Sequence, residues 1–240
     1  MITQPGPARY EGDLEAHLTV DAASAEAVAR LAAWAAARGL GFTHIVLARG
    51  RHPSQPMVTL RGHGRADAWI RSTVAETEAA LAHAGFPVLR TKVETTPWAS
   101  GVPQTDAEAR RATARLHFEH HVKLLLPAGA DREALASRVL PHGAHLSHNA
   151  RRTRRDGHQE RFVTQRCHAG GAPTAARRLD ALLAALKEHS EAQILETERE
   201  YVLHDTHLDL DEGWLDDALV GEMRRAAPCI SGARGTARPA

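Results

Sequence analysis

The chain writes one short stretch twice, and that repetition limits its fold more than any other feature. Leu14-Glu15-Ala16-His17-Leu18-Thr19-Val20 is echoed at Phe118-Glu119-His120-His121-Val122-Lys123-Leu124. Side chains in a strand alternate between faces, so Glu15, His17 and Thr19 share one face, and Glu119, His121 and Lys123 share the corresponding one. Further pairs keep nearly the same spacing. Glu15 and Glu119 are 104 residues apart, as are His17 and His121, and Thr43-His44 and Ser147-His148. Val58-Thr59-x-Arg61 and Val163-Thr164-x-Arg166 are 105 apart, and Lys92-x-Glu94 and Glu198-x-Glu200 are 106 apart. Small changes in loop length produce such a drift, and an internal repeat constrains the fold before local propensity does.

Taken in order, Asp13 to Val20 alternates as a half-buried strand, and Asp21 and Ser24 offer N-caps to an Ala-rich helix reaching about Arg38. Gly39 and Gly41 stop that helix before a strand from Phe42 to Ala48. The loop Arg49 to Pro56 turns the chain into a strand from Met57 to Arg61, a helix follows over Ala66 to Ala84, and a strand over Val88 to Thr95. Beyond Pro97 to Arg111 the order returns: strand 117–126, helix 131–140, strand 144–150, strand 160–167, helix 173–189 and strand 193–203. The expected fold is α+β, a tandem duplication of a ferredoxin-like βαββαβ unit. Its two antiparallel sheets would face each other around a polar cleft or open barrel. Residues 10–96 would form the first repeat, 97–114 a linker, 115–204 the second repeat, 205–225 a C-terminal extension packed across one end, and 226–240 a disordered tail.

Composition narrows the classes. A formal net charge of +1 gives no basic excess for tracking nucleic-acid phosphates, apart from the local run Arg151-Arg152-Thr153-Arg154-Arg155. No apolar run has the roughly 20 residues needed to cross a bilayer, and the start lacks a charged-then-apolar signal pattern, so a cytoplasmic protein is expected. Cys167 and Cys229 stand far apart without Cys-x-x-Cys spacing, which argues for reduced thiols. Oligomeric state is not readable.

The recurrent polar residues form the candidate site. Glu15/Glu119, His17/His121, Thr59/Thr164, Arg61/Arg166 and Glu94/Glu200 fall at alternate positions on neighbouring strands. Burying so many ionisable groups is costly unless they pair or hold a ligand. Arg61, Arg166 and Lys123, with Thr59 and Thr164, suit an anion, and Arg49 and Arg152 on the two corresponding loops suit a collecting rim. His17 and His121 with Glu15 and Glu119 suit acid/base chemistry, and Glu94 and Glu200 with the same histidines suit a divalent metal. His44 and His148 are further candidates, each beside a hydroxyl residue that would occupy it locally. Asp205, Asp209 and Asp211 lack the glycine and terminal glutamate of a calcium loop and read as a solvated turn. The competing account of the whole set is a solvated sheet face carrying cross-strand salt bridges.

Two families resemble these motifs. Glu119-His120-His121-Val122-Lys123 is similar to the Glu-x-Glu-x-Lys of triphosphate tunnel (CYTH-like) enzymes, with His121 in place of the middle glutamate. Those enzymes have a duplicated sheet forming a barrel lined by Glu, Lys and Arg. His17-Leu18-Thr19-Val20 resembles the His-x-Thr/Ser strand of two-histidine phosphoesterases, and His121-Val122-Lys123-Leu124 departs from it at Lys123. Both resemblances imply phosphate esters. The resulting expectation is a phosphohydrolase acting on a small phosphorylated ligand or nucleotide between pseudo-symmetric halves. The alternatives are a non-catalytic anion- or metal-binding protein using the same cavity, or an interaction scaffold.

Overall fold

A computed structural model describes residues 10–113, 115–150, 156–188 and 191–214. The first half contains β1 (Glu11–Val20), α1 (Ala25–Ala36), β2 (Gly41–Leu47) and β3 (Ser54–Arg65). A continuous helical stretch follows, made of α2 (Ala66–Trp69), a π-helical turn (Ile70–Val74) and α3 (Ala75–His83), and β4 (Val88–Thr95) completes the half. After α4 (Asp106–Arg111) come β5 (His117–Leu126), α5 (Arg132–Val139), β6 (Ala144–Asn149), β7 (Gln159–Cys167), α6 (Ala172–Lys187) and β8 (Gln193–Asp205). A single 3-10 turn, Leu208–Asp211, follows β8.

The helix starts follow from their caps. Ser24 Oγ accepts the N–H of Ala27, Asp131 accepts those of Glu133 and Ala134, and Thr105 with Glu108 forms a reciprocal capping box. Gly39, at φ 67°, supplies the left-handed residue that lets the chain leave α1 for β2.

Strand order is β1-β3-β2-β6-β7-β5-β8-β4, closed on itself, and every pairing is antiparallel. Within each half the pairing follows the same plan: β1 lies between β3 and β4 as β5 lies between β7 and β8. Two seams join the halves, β2 to β6 through Ile45↔Asn149, Val46↔His148 and Leu47↔Ser147, and β4 to β8 from Lys92↔Asp205 to Thr95↔Tyr201. Where two sheets facing each other around a polar cleft or open barrel were expected, the eight strands form one closed barrel. Both candidate seam edges carry unpaired backbone groups, and pairing them removes the exposed edges that facing sheets would keep.

Apolar residues lie outside the barrel wall, beneath the helices. Leu14, Ala16 and Leu18 of β1 and Val58 and Leu60 of β3 pack with Leu31 and Leu81. Val122 and Leu124 of β5 and Val163 of β7 pack with Leu135, Leu179, Leu182 and Leu186. The alternate residues of the same strands point inward, so the centre of the barrel is polar. Among the described residues no helix is long and apolar enough to cross a membrane.

The stretch read as a linker is packed in place. Ser100 bridges to Glu11, Ala99 and Val102 join the core, and Asp106 Oδ1 accepts the N–H of Gly171 and the hydroxyl of Thr174 at the start of α6. A Cβ at Gly171 would lie 2.5 Å from the Thr105 carbonyl carbon. That neighbour is backbone and cannot rotate away. Gly171→Ala is expected to lower stability by about 2 kcal/mol, read by urea unfolding; an unchanged midpoint would show that this junction yields.

Candidate functional site

The inward faces build a cavity of about 600 Å³. On the first half, His17 Nδ1 and Thr59 Oγ1 are 3.0 Å apart, which turns Nε2 toward Glu94 Oε2 at 3.3 Å and Glu15 Oε1 at 3.6 Å. The second half repeats this. His121 Nδ1 meets Thr164 Oγ1 at 3.0 Å, and its Nε2 faces Glu119 Oε1 at 3.2 Å and Glu200 Oε2 at 3.5 Å. Both threonines orient an imidazole by holding one ring nitrogen and leaving the other to the carboxylates.

The halves differ at Thr19 against Lys123 and, with more consequence, at Lys92 against Glu198. Lys92 of β4 stands where β8 has Glu198; its Nζ meets Glu94 Oε1 of its own strand at 2.9 Å and reaches across the β4–β8 seam to Glu119 Oε1 of β5 at 2.8 Å. Glu119 also binds Arg166 Nε at 2.5 Å and sits 3.2 Å from His117 Nε2. Burial opposes its ionisation, but Arg166 and Lys92 hold its carboxyl well below the usual carboxylate range.

One end is closed by the segment after β8. Asp211 accepts from Gln55 at 2.9 Å, Arg90 at 2.9 Å and Arg166 at 2.7 Å, and Asp205 binds Arg90 at 2.5 Å. Burial works against the Asp211 charge, and the two arginines bring its pKa down to about 2. Trp214 packs on Leu47 and donates Nε1–H to the Leu146 carbonyl at 2.9 Å. Asp205, Leu210 and Asp211 are thus buried at this end, where the composition suggested a solvated turn, while Asp209 is exposed as expected: the arginines of β4 and β7 need counter-charges that their own strands do not provide. The other end is open, marked by the exposed lining residues Gly41, Arg61, Glu196 and Glu198.

The structure brings Glu15, His17, Thr59, Arg61, Glu94, Glu119, His121, Lys123, Thr164, Arg166 and Glu200 to this interior. It leaves others elsewhere. His44 and His148 alternate with the lining residues Thr43, Ile45, Ser147 and Asn149, and so face outward, with His44 Nε2 2.8 Å from Ser54 Oγ. Arg49 donates to the Trp214 carbonyl at 3.4 Å, at the plugged end and away from the open mouth. Arg152 and the rest of 151–155 lie outside the described residues. Sequence reasoning missed Arg90, Gln55, Glu196 and Asp211. Arg90 and Glu196 were findable, since each alternates with lining residues of its own strand; Asp211, in a 3-10 turn, had no periodic signal.

Three donors form the best cation site. Ligand atoms of Glu94, His121 and Glu200 all lie within 4.8 Å of one another. Glu94 is fully buried, its contacts are the ion pairs to Lys92 and His17, and neither of its oxygens has a hydrogen-bond partner of good geometry among the described residues. Burial opposes its charge, and Lys92 holds its pKa at about 2. Glu200 goes the other way: burial and the adjacent Glu94 charge raise it to about 8. Burial disfavours the His121 cation, but Glu119 overcomes this and raises it to about 9. One carboxylate too many thus shares the space with one proton-hungry imidazole.

No protein-family model matches the chain, and no curated protein matches it. Among solved structures it is similar to the acetolactate synthase small subunit from Thermotoga maritima, at 11% identity and a TM-score of 0.29, over 81% of this chain and 96% of that one.

The phosphohydrolase expectation is corrected. None of these comparisons supports it, and the cations on which it rested are already matched. Arg61 is held by Glu15 at 2.9 and 3.3 Å, Arg166 by Glu119 and Asp211, Lys123 by Glu160 at 3.2 Å, and Lys92 and Arg90 by carboxylates as well. A phosphate would have to displace these carboxylates in a space where Glu196 and Glu198 add further negative charge.

Proposed function

We propose that the protein is a binding protein whose barrel interior takes a divalent cation between Glu94, His121 and Glu200. The convergence of three donor atoms within 4.8 Å of one another supports this reading most, and burial beside the Glu94 charge, which raises the Glu200 carboxyl, agrees with it. Two carboxylates and one imidazole are a mixed donor set that suits Mn²⁺, Fe²⁺ or Zn²⁺. Donors about 3–4 Å apart are what an ion with bonds near 2.1 Å requires, and the His121–Glu200 separation of 3.5 Å falls in that range. The Thr164 contact on Nδ1 fixes which imidazole nitrogen faces the ion.

We further read the two halves as a duplication, since the matched lining residues occupy matched registers: Glu15↔Arg61 and His17↔Thr59 against Glu119↔Arg166 and His121↔Thr164. The resemblance to triphosphate tunnel enzymes then concerns a barrel lined by Glu, Lys and Arg, and carries no claim of hydrolysis.

Calorimetric titration of Mn²⁺ and Zn²⁺ into the purified chain tests the proposal. Glu200→Gln and His121→Gln should each weaken binding at least tenfold while the fold, followed by circular dichroism, is kept. Wild type that binds neither ion below millimolar concentration, or a Glu200→Gln protein that binds like wild type, would sink the reading.

A further inference from the structure

The cavity is larger than a metal ion needs. At about 30 Å³ per water, an ion with three or four waters fills on the order of 150 Å³, against about 600 Å³ available. That volume is in the range of small-molecule sites. Its walls are also unlike one another. On the eight-strand ring β2 and β8 are four places apart and so stand opposite each other. Ile45 and Leu47 of β2, Met57 of β3 and Phe162 of β7 supply the apolar lining of the β2 side, set among the polar Thr43, Gln55, Ser147 and Asn149. From β8 come Glu196, Glu198 and Glu200 on one face.

Among the described residues neither Glu196 nor Glu198 forms an ion pair, in a cavity where the other charged side chains do. Arg61 feels the charge of Glu198 without contacting it. The cavity thus presents two carboxylates without a cation on the β8 side and apolar contacts from Ile45, Met57 and Phe162 across from them.

Resting on the reading of the interior as a cation-binding site, we infer that it also takes an organic amine with an apolar, ring-sized body. Its ammonium lies on Glu196 and Glu198 and its body on Ile45, Met57 and Phe162. Glu196 and Glu198 precede Glu200 by four and two residues, about 13 and 7 Å along a strand at ~3.3 Å per residue. The ammonium therefore sits nearer the mouth than the metal, and both are bound together.

Calorimetry on the full chain, with and without saturating Mn²⁺, uses three probes. These are 2-phenylethylamine, 3-phenylpropionate (the same body with the opposite charge) and ethylamine (the same head without the body). The amine with the ring should bind, the carboxylate should not, and ethylamine should bind at least tenfold more weakly. Glu196→Gln/Glu198→Gln should weaken 2-phenylethylamine tenfold or more and leave Mn²⁺ affinity within about threefold. Phe162→Ala should weaken the ring amine and leave ethylamine unchanged. Equal binding of the carboxylate, or an amine affinity indifferent to the double substitution, would overturn the inference. Mn²⁺ binding without amine binding refutes this inference alone, and amine binding without Mn²⁺ binding refutes only the metal site.

Discussion

Glu119→Gln should cost about 3–5 kcal/mol, lowering the melting temperature by roughly 10 °C. Glu119 is 1% exposed and its carboxylate serves Arg166 and Lys92 directly and lies 3.2 Å from both His117 and His121. Removing the charge leaves Arg166 and Lys92 buried with too few partners, and neither can move to water. Glu15 is the control, because it occupies the matching position of the first half and pairs with the matching arginine. Arg61, however, is 79% exposed. Solvent screens that pair, so Glu15→Gln should cost under about 1 kcal/mol. Paired urea unfolding curves check both, and equal losses would show that burial does not separate the two halves as described.

In the metal-free protein, stability should peak at mildly acidic pH and fall by several kcal/mol as pH rises from about 6.5 to 9. His121 has a folded pKa of about 9 against an ordinary 6.5. What it contributes is complete below pH 6.5 and is lost as pH rises through 9. Glu200 has a folded pKa of about 8 against an ordinary 4.5, so the unfolded chain releases that proton first and stability declines between those values. Glu94 and Asp211, both depressed to about 2, set the acid side: their contribution is present above about pH 4.5 and is lost as pH falls toward 2. Glu200→Gln, which removes the high-pH penalty, should stabilise the metal-free barrel at pH 8 by on the order of 2 kcal/mol while weakening metal binding at least tenfold. Metal must displace protons from His121 and Glu200, so its affinity should rise between pH 7 and 9, with proton release measurable from the buffer dependence of the binding heat. A flat stability profile from pH 6.5 to 9 would refute the assigned directions.

Much of the barrel was legible because its strands alternate strictly. Glu15 and His17 against Leu14, Ala16 and Leu18 gave both faces of β1, and constant spacing carried that assignment to β5. Alternation says which face a residue takes but not whether the face is wet, paired or closed. The β2–β6 seam rests on three residue pairs between segments about a hundred positions apart, and nothing local in Ile45 or Asn149 announces it. Arg61 and Arg166 suggested an anion because arginine type is visible in a sequence while its carboxylate partner is not. Asp211, the partner that most changes the reading of Arg90 and Arg166, reaches them through the fold alone.

The short seams also bear on how such a barrel comes into being. Each half alone would be a four-stranded sheet with β2 and β4, or β6 and β8, as bare borders and an inner face whose charges are only partly matched within it. Lys92 of one half answers Glu119 of the other, so charge balance inside is reached only when both borders have met. Closure in the observed register is thus the arrangement in which Lys92 has an acid from each half, Glu94 and Glu119.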